Sequence, residues 1–285
     1  MNHTGYKRVL KLIIPYFVIV GIFQIIGYSI VGIDIKNYYE IVNANSFQKI
    51  VGYLFTLIGT FFVLWIFMKH IDKEKFIDMG FHVKNRLIDI SLGIIIGLLI
   101  MSMGYFILIK TRQIFFISYD FNFREFLYSF ILFTLVAIIE EVLFRGYILK
   151  NLMLSFNKYI ALIISSLLFA LGHLGNPNFE LFPFIDMFFG GLILGVSYIY
   201  TKNLWFPIAL HFSWNFFQTH FGYNVSGTDQ YSLIQTTIKE NNLLNGGDFG
   251  FEGSILSIIF QLVFIFIIGL YFNKKNSCSL YSARL

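Results

Sequence analysis

Two adjacent carboxylates, Glu140 and Glu141, stand inside the apolar run LVAIIEEVLFRGYILK at 135–150, and Arg145 follows the second of them by four residues. A charge in hydrocarbon is costly, so such groups are rare there and tend to have a function. Successive helical residues point about 100° apart, so the two glutamates cannot both serve one neighbour. Arg145 lies one turn from Glu141 on the same face and is placed to pair with it, which leaves Glu140 free for chemistry. Two further polar constellations occur in apolar surroundings, Phe169-x-x-x-His173 and His211-x-x-x-Asn215. The four-residue spacing puts His211 and Asn215 on one helical face. A carboxylate and a histidine can share a water and take its proton. A histidine and an asparagine can donate hydrogen bonds to a developing oxyanion. Together these groups are equipped to hydrolyse an amide. A second arrangement uses the same residues as metal ligands, with Glu140, His173 and His211 forming a two-histidine, one-glutamate zinc set with an open position. The chain has no H-E-x-x-H, and asparagine is a poor zinc ligand, so the residue chemistry leans towards a metal-free water and leaves zinc open. The bland alternative is a buried ion-pair network that only holds helices together.

These residues must be positioned by membrane helices. The chain of 285 residues is 57% hydrophobic and 13% charged, about half the charged fraction of a soluble domain. Its mean hydropathy is +0.71. The expected fold class is all-α, a polytopic membrane protein forming one domain over 1–285. Apolar segments at 12–33, 50–68, 87–109, 126–150, 158–174, 181–200, 204–220 and 254–272 give about eight transmembrane helices. The carboxylates fall on the fourth, His173 ends the fifth, and His211 and Asn215 ride on the seventh. At 1.5 Å per residue, Glu140 lies roughly 15 Å from Lys150, His211 about 10 Å from Leu204 and His173 about 22 Å from Lys158, which allows them to meet in a cavity below the cytoplasmic face. Gly93 and Gly97 have the spacing for close helix contact.

With the N-terminus inside, 15 of the 21 Lys and Arg fall on the cytoplasmic side, so both termini are expected in the cytoplasm of a multi-pass cell-membrane protein, with 273–285 as a polar cytoplasmic tail. The net charge of +5 sits in short loops and does not point to nucleic acid. The lone Cys278 makes neither an intrachain disulfide nor a cysteine-rich metal site, and it is too far from the end to be a prenylation signal. No cleavable signal peptide and no internal repeat is visible, and the latter argues against a carrier built from two halves. Other polar residues read as bland. Asp89 and His220 look interfacial, His70 and His82 solvated in the charged loop 69–86, Trp214 a packing residue and Asp186 a lone structural acid. Ser213 has no positioned base. Pro15 sits in the first turn of its span. The loop 221–252 has little hydrophobic pattern.

The ordered set Glu140-Glu141-x-x-x-Arg145, Phe169-x-x-x-His173 and His211-x-x-x-Asn215 resembles the CPBP family of intramembrane proteases, which groups type II CAAX prenyl endopeptidases with bacteriocin-processing and self-immunity proteins. The flanks RGYILKNL, SSLLFALGH and FFGGLILGVSYIYTKNLWFPIALHFSWN are similar as well, and the likeness covers about 126–220, the CPBP-like catalytic core. The resemblance implies an eight-helix fold with a cavity reached from the cytoplasm and the bilayer. It implies that Glu140 and His173 activate the water, that His211 and Asn215 stabilise the oxyanion, and that Glu141 and Arg145 orient the site, with Phe169 in support. It leaves the cofactor as none or one divalent metal, zinc. The expected partners are the lipid bilayer and a hydrophobic or lipidated peptide, a bacteriocin or leader-type peptide, or a membrane protein. The rival is a non-enzymatic immunity factor or partner-protein scaffold whose polar cluster is structural.

Overall fold

The computed structural model describes residues 4–34 and 36–282, with side chains through Lys275 apart from those of Tyr38 and Val42. Eight principal helices follow one another: α1 Thr4–Ile30, α2 Ser46–Phe67, α3 Leu87–Lys110, α4 beginning as Phe123–Glu141, α5 Lys158–Gly172, α6 Leu181–Gly195, α7 Trp205–His220 and α8 Ile255–Ser282. Their starts are written locally. Asn45 accepts from the Gln48 N–H while Gln48 reaches back, Asn122 accepts from Arg124 and Glu125, and Asn157 accepts from Tyr159 and Ile160. Each asparagine satisfies amides that the first helical turn leaves unpaired.

Among the described residues, six helical stretches are long and apolar enough to cross a bilayer, and α5 and α7 are not among them. At 15 and 16 residues these two rise about 22–24 Å, short of a hydrocarbon core of roughly 30 Å. The expectation of about eight spans thus resolves into eight helices, six of full length. The two short ones carry both histidine motifs; α7 is buried over most of its length, while α5 ends with Leu171 and Leu174 exposed.

Several expectations are corrected. Helix α1 begins at Thr4, so Pro15 is inside the helix rather than in its first turn. Helix α8 runs on to Ser282 and so includes the polar stretch from 273; the side chain of Cys278 and residues 283–285 lie outside the described residues. The loops hold a two-stranded antiparallel sheet, β1 Phe115–Tyr119 with β2 Ile234–Thr237, with a bulge between Phe116 and Ser118. Its partners are more than a hundred residues apart, so no local pattern announces the pairing. Asp72 leaves the expected surface loop: α2 continues as a π-turn, Met68–Asp72, and buries Asp72 against Arg8 Nε (3.2 Å), Asn151 Nδ2 (3.2 Å) and the Tyr147 hydroxyl (3.4 Å). Asp89, in the first turn of α3, is buried and accepts from Arg86 Nη1 (2.8 Å) and Lys275 Nζ (2.6 Å).

The most extensive helix contact joins α3 to α7, and it depends on glycine. A Cβ on Gly93 would lie 2.8 Å from both Leu210 N and Phe206 O, and one on Gly97 would lie 2.5 Å from Ser213 Oγ. This close approach seats the helix that carries His211 and Asn215. Gly93→Ala is expected to cost roughly 1–3 kcal/mol by overpacking, read as a lower thermal midpoint in detergent. Gly21→Ala, which meets nothing within 4 Å, serves as the control and should show no loss.

Candidate active site

Helix α4 changes character at the carboxylates. Regular α-helix ends at Glu141, and the chain continues as a π-helix, Val142–Leu149, before returning to α-helix at Lys150–Ser155. Such widened turns concentrate at functional sites. Ser165 Oγ of α5 donates to the Phe144 carbonyl at 3.0 Å, partnering one group of the widened turn.

Glu141 and Arg145 are fully buried, and Arg145 Nη1 donates to Glu141 Oε1 at 2.8 Å. Arg145 Nη2 donates to the Gly191 carbonyl of α6 at 3.0 Å, and its guanidinium lies 4.5 Å over the Phe169 ring. Phe169 is therefore the platform under the arginine as well as the residue one turn before His173. The same Glu141 Oε1 lies 2.8 Å from His211 Nδ1. A salt-bridged carboxylate only accepts, so His211 carries its proton on Nδ1 and turns Nε2 away. His173 caps the C-terminus of α5, with Nδ1 2.8 Å from the Phe169 carbonyl. A carbonyl also only accepts, so His173 likewise presents Nε2. Both Nε2 atoms face Glu140 Oε2, at 3.8 Å from His173 and 3.9 Å from His211. That oxygen is buried and has no hydrogen-bond partner. The gaps are too wide for direct hydrogen bonds and suit one small polar group held between three atoms.

The residue types match a zinc set. Ligand atoms about 2.0–2.2 Å from a tetrahedral zinc stand roughly 3.3–3.6 Å apart, a little closer than Glu140 Oε2 stands to either Nε2. Among the described residues, no group of three His, Cys, Asp or Glu is disposed to hold a metal ion.

Asn215, one turn after His211, lines the same cavity, and among the described residues no protein group hydrogen-bonds its amide. The cavity holds about 500 Å³. Ile13 and Phe17 of α1 and Leu168 and Leu171 of α5 make apolar walls, while Asn176, Ser226, Thr228 and Gln230 supply polar lining. Those four follow the C-terminal ends of α5 and α7, the end opposite the chain termini. The polar end of the cavity therefore lies on the side opposite the start of α1.

The loop after α7, which shows little pattern in sequence, forms part of the wall. Glu252 Oε1 accepts from Trp214 Nε1 (3.1 Å), and Oε2 accepts from the Ser226 amide (2.7 Å) and hydroxyl (2.9 Å). Trp214 is thus a tether rather than packing alone. Gly227 has φ +80, and a Cβ there would fall 2.0 Å from the Pro177 carbonyl, so only glycine closes this turn. The Ser-Gly pair is the signal that marks it. His220, expected at the interface, is buried with Nε2 2.9 Å from Ser129 Oγ and its ring 4.4 Å from Phe216.

Fold and site together define a polytopic α-helical membrane protein with a carboxylate–histidine centre enclosed among its helices. Residues 122–217, about a third of the chain, match the type II CAAX prenyl endopeptidase Rce1-like family. The segment contains all seven residues from Glu140 to Asn215 described above. Over 87 residues the chain is 39% identical to the membrane-embedded CAAX protease MroQ of Staphylococcus aureus (strain USA300), covering 28% of this chain and 33% of that protein. The chain thus aligns with about a third of the length of that curated relative. No solved structure gives a significant match.

Proposed function

We propose that the protein is an intramembrane endopeptidase hydrolysing a peptide bond of a membrane-associated peptide or protein. The observation that carries this reading is the buried, unpartnered Glu140 Oε2 facing two histidine Nε2 atoms at 3.8 and 3.9 Å on the wall of a large apolar cavity. A water between these atoms gives a proton to Glu140 as it attacks the scissile carbonyl, with His173 Nε2 accepting its second hydrogen and fixing its direction. The developing oxyanion is met by Asn215 Nδ2–H and, in its protonated form, by His211 Nε2–H. Glu141 supports that protonated form through Nδ1 and is itself neutralised by Arg145. Glu140 then returns its proton to the leaving amine. The apolar walls favour a hydrophobic or lipidated chain reaching the site from the bilayer, and the family match at 122–217 supports the peptidase class.

The test is cleavage by the purified, reconstituted protein of a library of hydrophobic and lipidated peptides, with metal analysis and chelator treatment alongside. Cleavage by wild type, lost in Glu140→Ala and His173→Ala without chelator sensitivity, supports the reading. Stoichiometric zinc with chelator-sensitive cleavage replaces the mechanism with a metal-assisted one. A cellular phenotype that survives both substitutions assigns a scaffold or immunity role instead.

The excess of Lys and Arg on one side supports cytoplasmic termini, and with that orientation the polar end of the cavity would face outside. In a Cys278→Ser background, Asp229→Cys should react with a membrane-impermeant maleimide in intact cells, whereas Lys84→Cys should react only after permeabilisation. The reverse pattern would invert the orientation.

A further inference from the structure

Behind the two histidines lies a second, small chamber of about 30 Å³. His173, His211, Asn215 and Ser226 form the wall it shares with the main cavity, and Asp186 and Gln261 face them from α6 and α8. Both are completely buried. Gln261 Nε2 donates to Asp186 Oδ1 (2.7 Å) and to Ser257 Oγ (2.8 Å), and Ser257 Oγ donates to the same Asp186 oxygen (3.1 Å). These bonds fix the amide of Gln261, because an oxygen there would meet the carboxylate. Every donor of the trio is then used, and two acceptors remain without partners, Asp186 Oδ2 and Gln261 Oε1. Glu252 also borders the chamber, but both its oxygens are occupied by Trp214 and Ser226.

Buried acceptors without donors are rare and costly. The chamber sets these polar groups in a mainly apolar lining and is large enough for one water, which needs roughly 10–15 Å³. We infer that a single internal water occupies it, donating its two hydrogens to Asp186 Oδ2 and Gln261 Oε1 and accepting from Asn215 Nδ2, and that this water fixes the Asn215 amide with nitrogen towards the site. Glu141 orients His211 and the Phe169 carbonyl orients His173, while Asn215 has no such partner among the described protein groups. The water supplies it, which makes Asp186 and Gln261 positioning residues for the oxyanion donor. The catalytic consequence rests on the peptidase reading above; the water and the amide orientation do not.

Gly190 provides the test. A Cβ there would stand 3.8 Å from Gln261 Oε1 and 4.0 Å from Phe169 Cε1, so a methyl group fits without a clash and takes space at the chamber wall. Gly190→Ala is expected to lower the thermal midpoint, because displacing the water strands two acceptors. Filling a dry void would raise it instead, and that result overturns the proposal. The side-chain amide signals of Asn215 in ¹⁵N-labelled protein should shift and broaden in Gly190→Ala; unchanged signals would remove Asn215 from the network. In the cleavage assay, Gly190→Ala and the near-isosteric Asp186→Asn should lower kcat about 10- to 100-fold, less than the 10²–10³ for deleting an oxyanion donor, with KM within about twofold. Gly190→Ser, whose hydroxyl carries a donor into the chamber, should recover part of the loss. Equal kcat in all variants would show that the water has no role in catalysis. If wild type cleaves nothing, the proteolytic reading fails, while the thermal and amide measurements still decide the water and its hold on Asn215.

Discussion

Glu140→Gln yields a protein that folds as well as wild type and does not cleave. The substitution keeps the shape of the side chain and removes only its charge and its basicity. Glu140 Oε2 is buried and accepts no hydrogen bond from the protein, so no protein–protein bond is lost. An uncompensated carboxylate is also removed from apolar surroundings, so the thermal midpoint should stay level or rise slightly. Cleavage responds oppositely. General-base transfer alone contributes about 10²–10⁴-fold, and an amide cannot return a proton to the leaving amine. The expected fall in kcat is therefore at least about 10³-fold, with KM little changed because the apolar walls that hold the substrate are intact. The measurement is a progress curve on a peptide that wild type cleaves, with thermal unfolding of the same sample. Retention of more than about a tenth of wild-type kcat would remove Glu140 from the role of base.

Glu140 and Glu141 are neighbours with the same side chain and different fates, and this division was legible in the sequence alone. The 100° step separates them, and the four-residue interval selects Glu141 for Arg145. The structure has that ion pair at 2.8 Å. The convergence of α4, α5 and α7 could be argued only as allowed by depth; the 3.8 and 3.9 Å separations depend on the π-helix after Glu141 and on the short α5, and neither has a period that sequence reading detects. Asp186 was visible as an acid in an apolar run but looked solitary, because its partners Ser257 and Gln261 lie more than seventy residues away on α8. The wall formed by Ser226, Thr228 and Gln230 was invisible for a different reason. It is built from turns held by one buried acid, Glu252, and turns carry no amphipathic signal. Asp72 lies in the charged loop 69–86 and Asp89 near the start of its span, positions that in sequence suggest no buried partners. Tertiary partners from α1, α4 and α8 bury them instead. Local spacing thus reports which residues share a helix face, and long-range pairing decides which polar groups stay dry.

The second large effect concerns the neighbouring pair. Arg145→Met is expected to cost roughly 3–5 kcal/mol of stability, because it leaves a fully buried carboxylate without its counter-charge. It also removes the bond to the Gly191 carbonyl and the contact over Phe169, which tie α4 to α6 and α5. Glu141→Gln leaves the arginine unpaired and should cost a similar amount. The double variant Glu141→Gln/Arg145→Met contains no buried charge at this point, and it should recover much of what either single variant loses, giving a coupling of a few kcal/mol in a double-mutant cycle. Cleavage should not recover with stability. The glutamine introduced by Glu141→Gln can still accept from His211 Nδ1, but a neutral amide does not support a protonated imidazole as a carboxylate does. The double variant is therefore expected to approach wild type in thermal midpoint while remaining at least about tenfold down in kcat. That separation would show that Glu141 acts on the reaction through His211 and is more than one half of a structural ion pair. Additive losses in stability would mean that the two side chains do not sense each other, contrary to the 2.8 Å contact. Recovery of both properties together would leave the pair with a structural role only, and the support for His211 would then have to come from elsewhere.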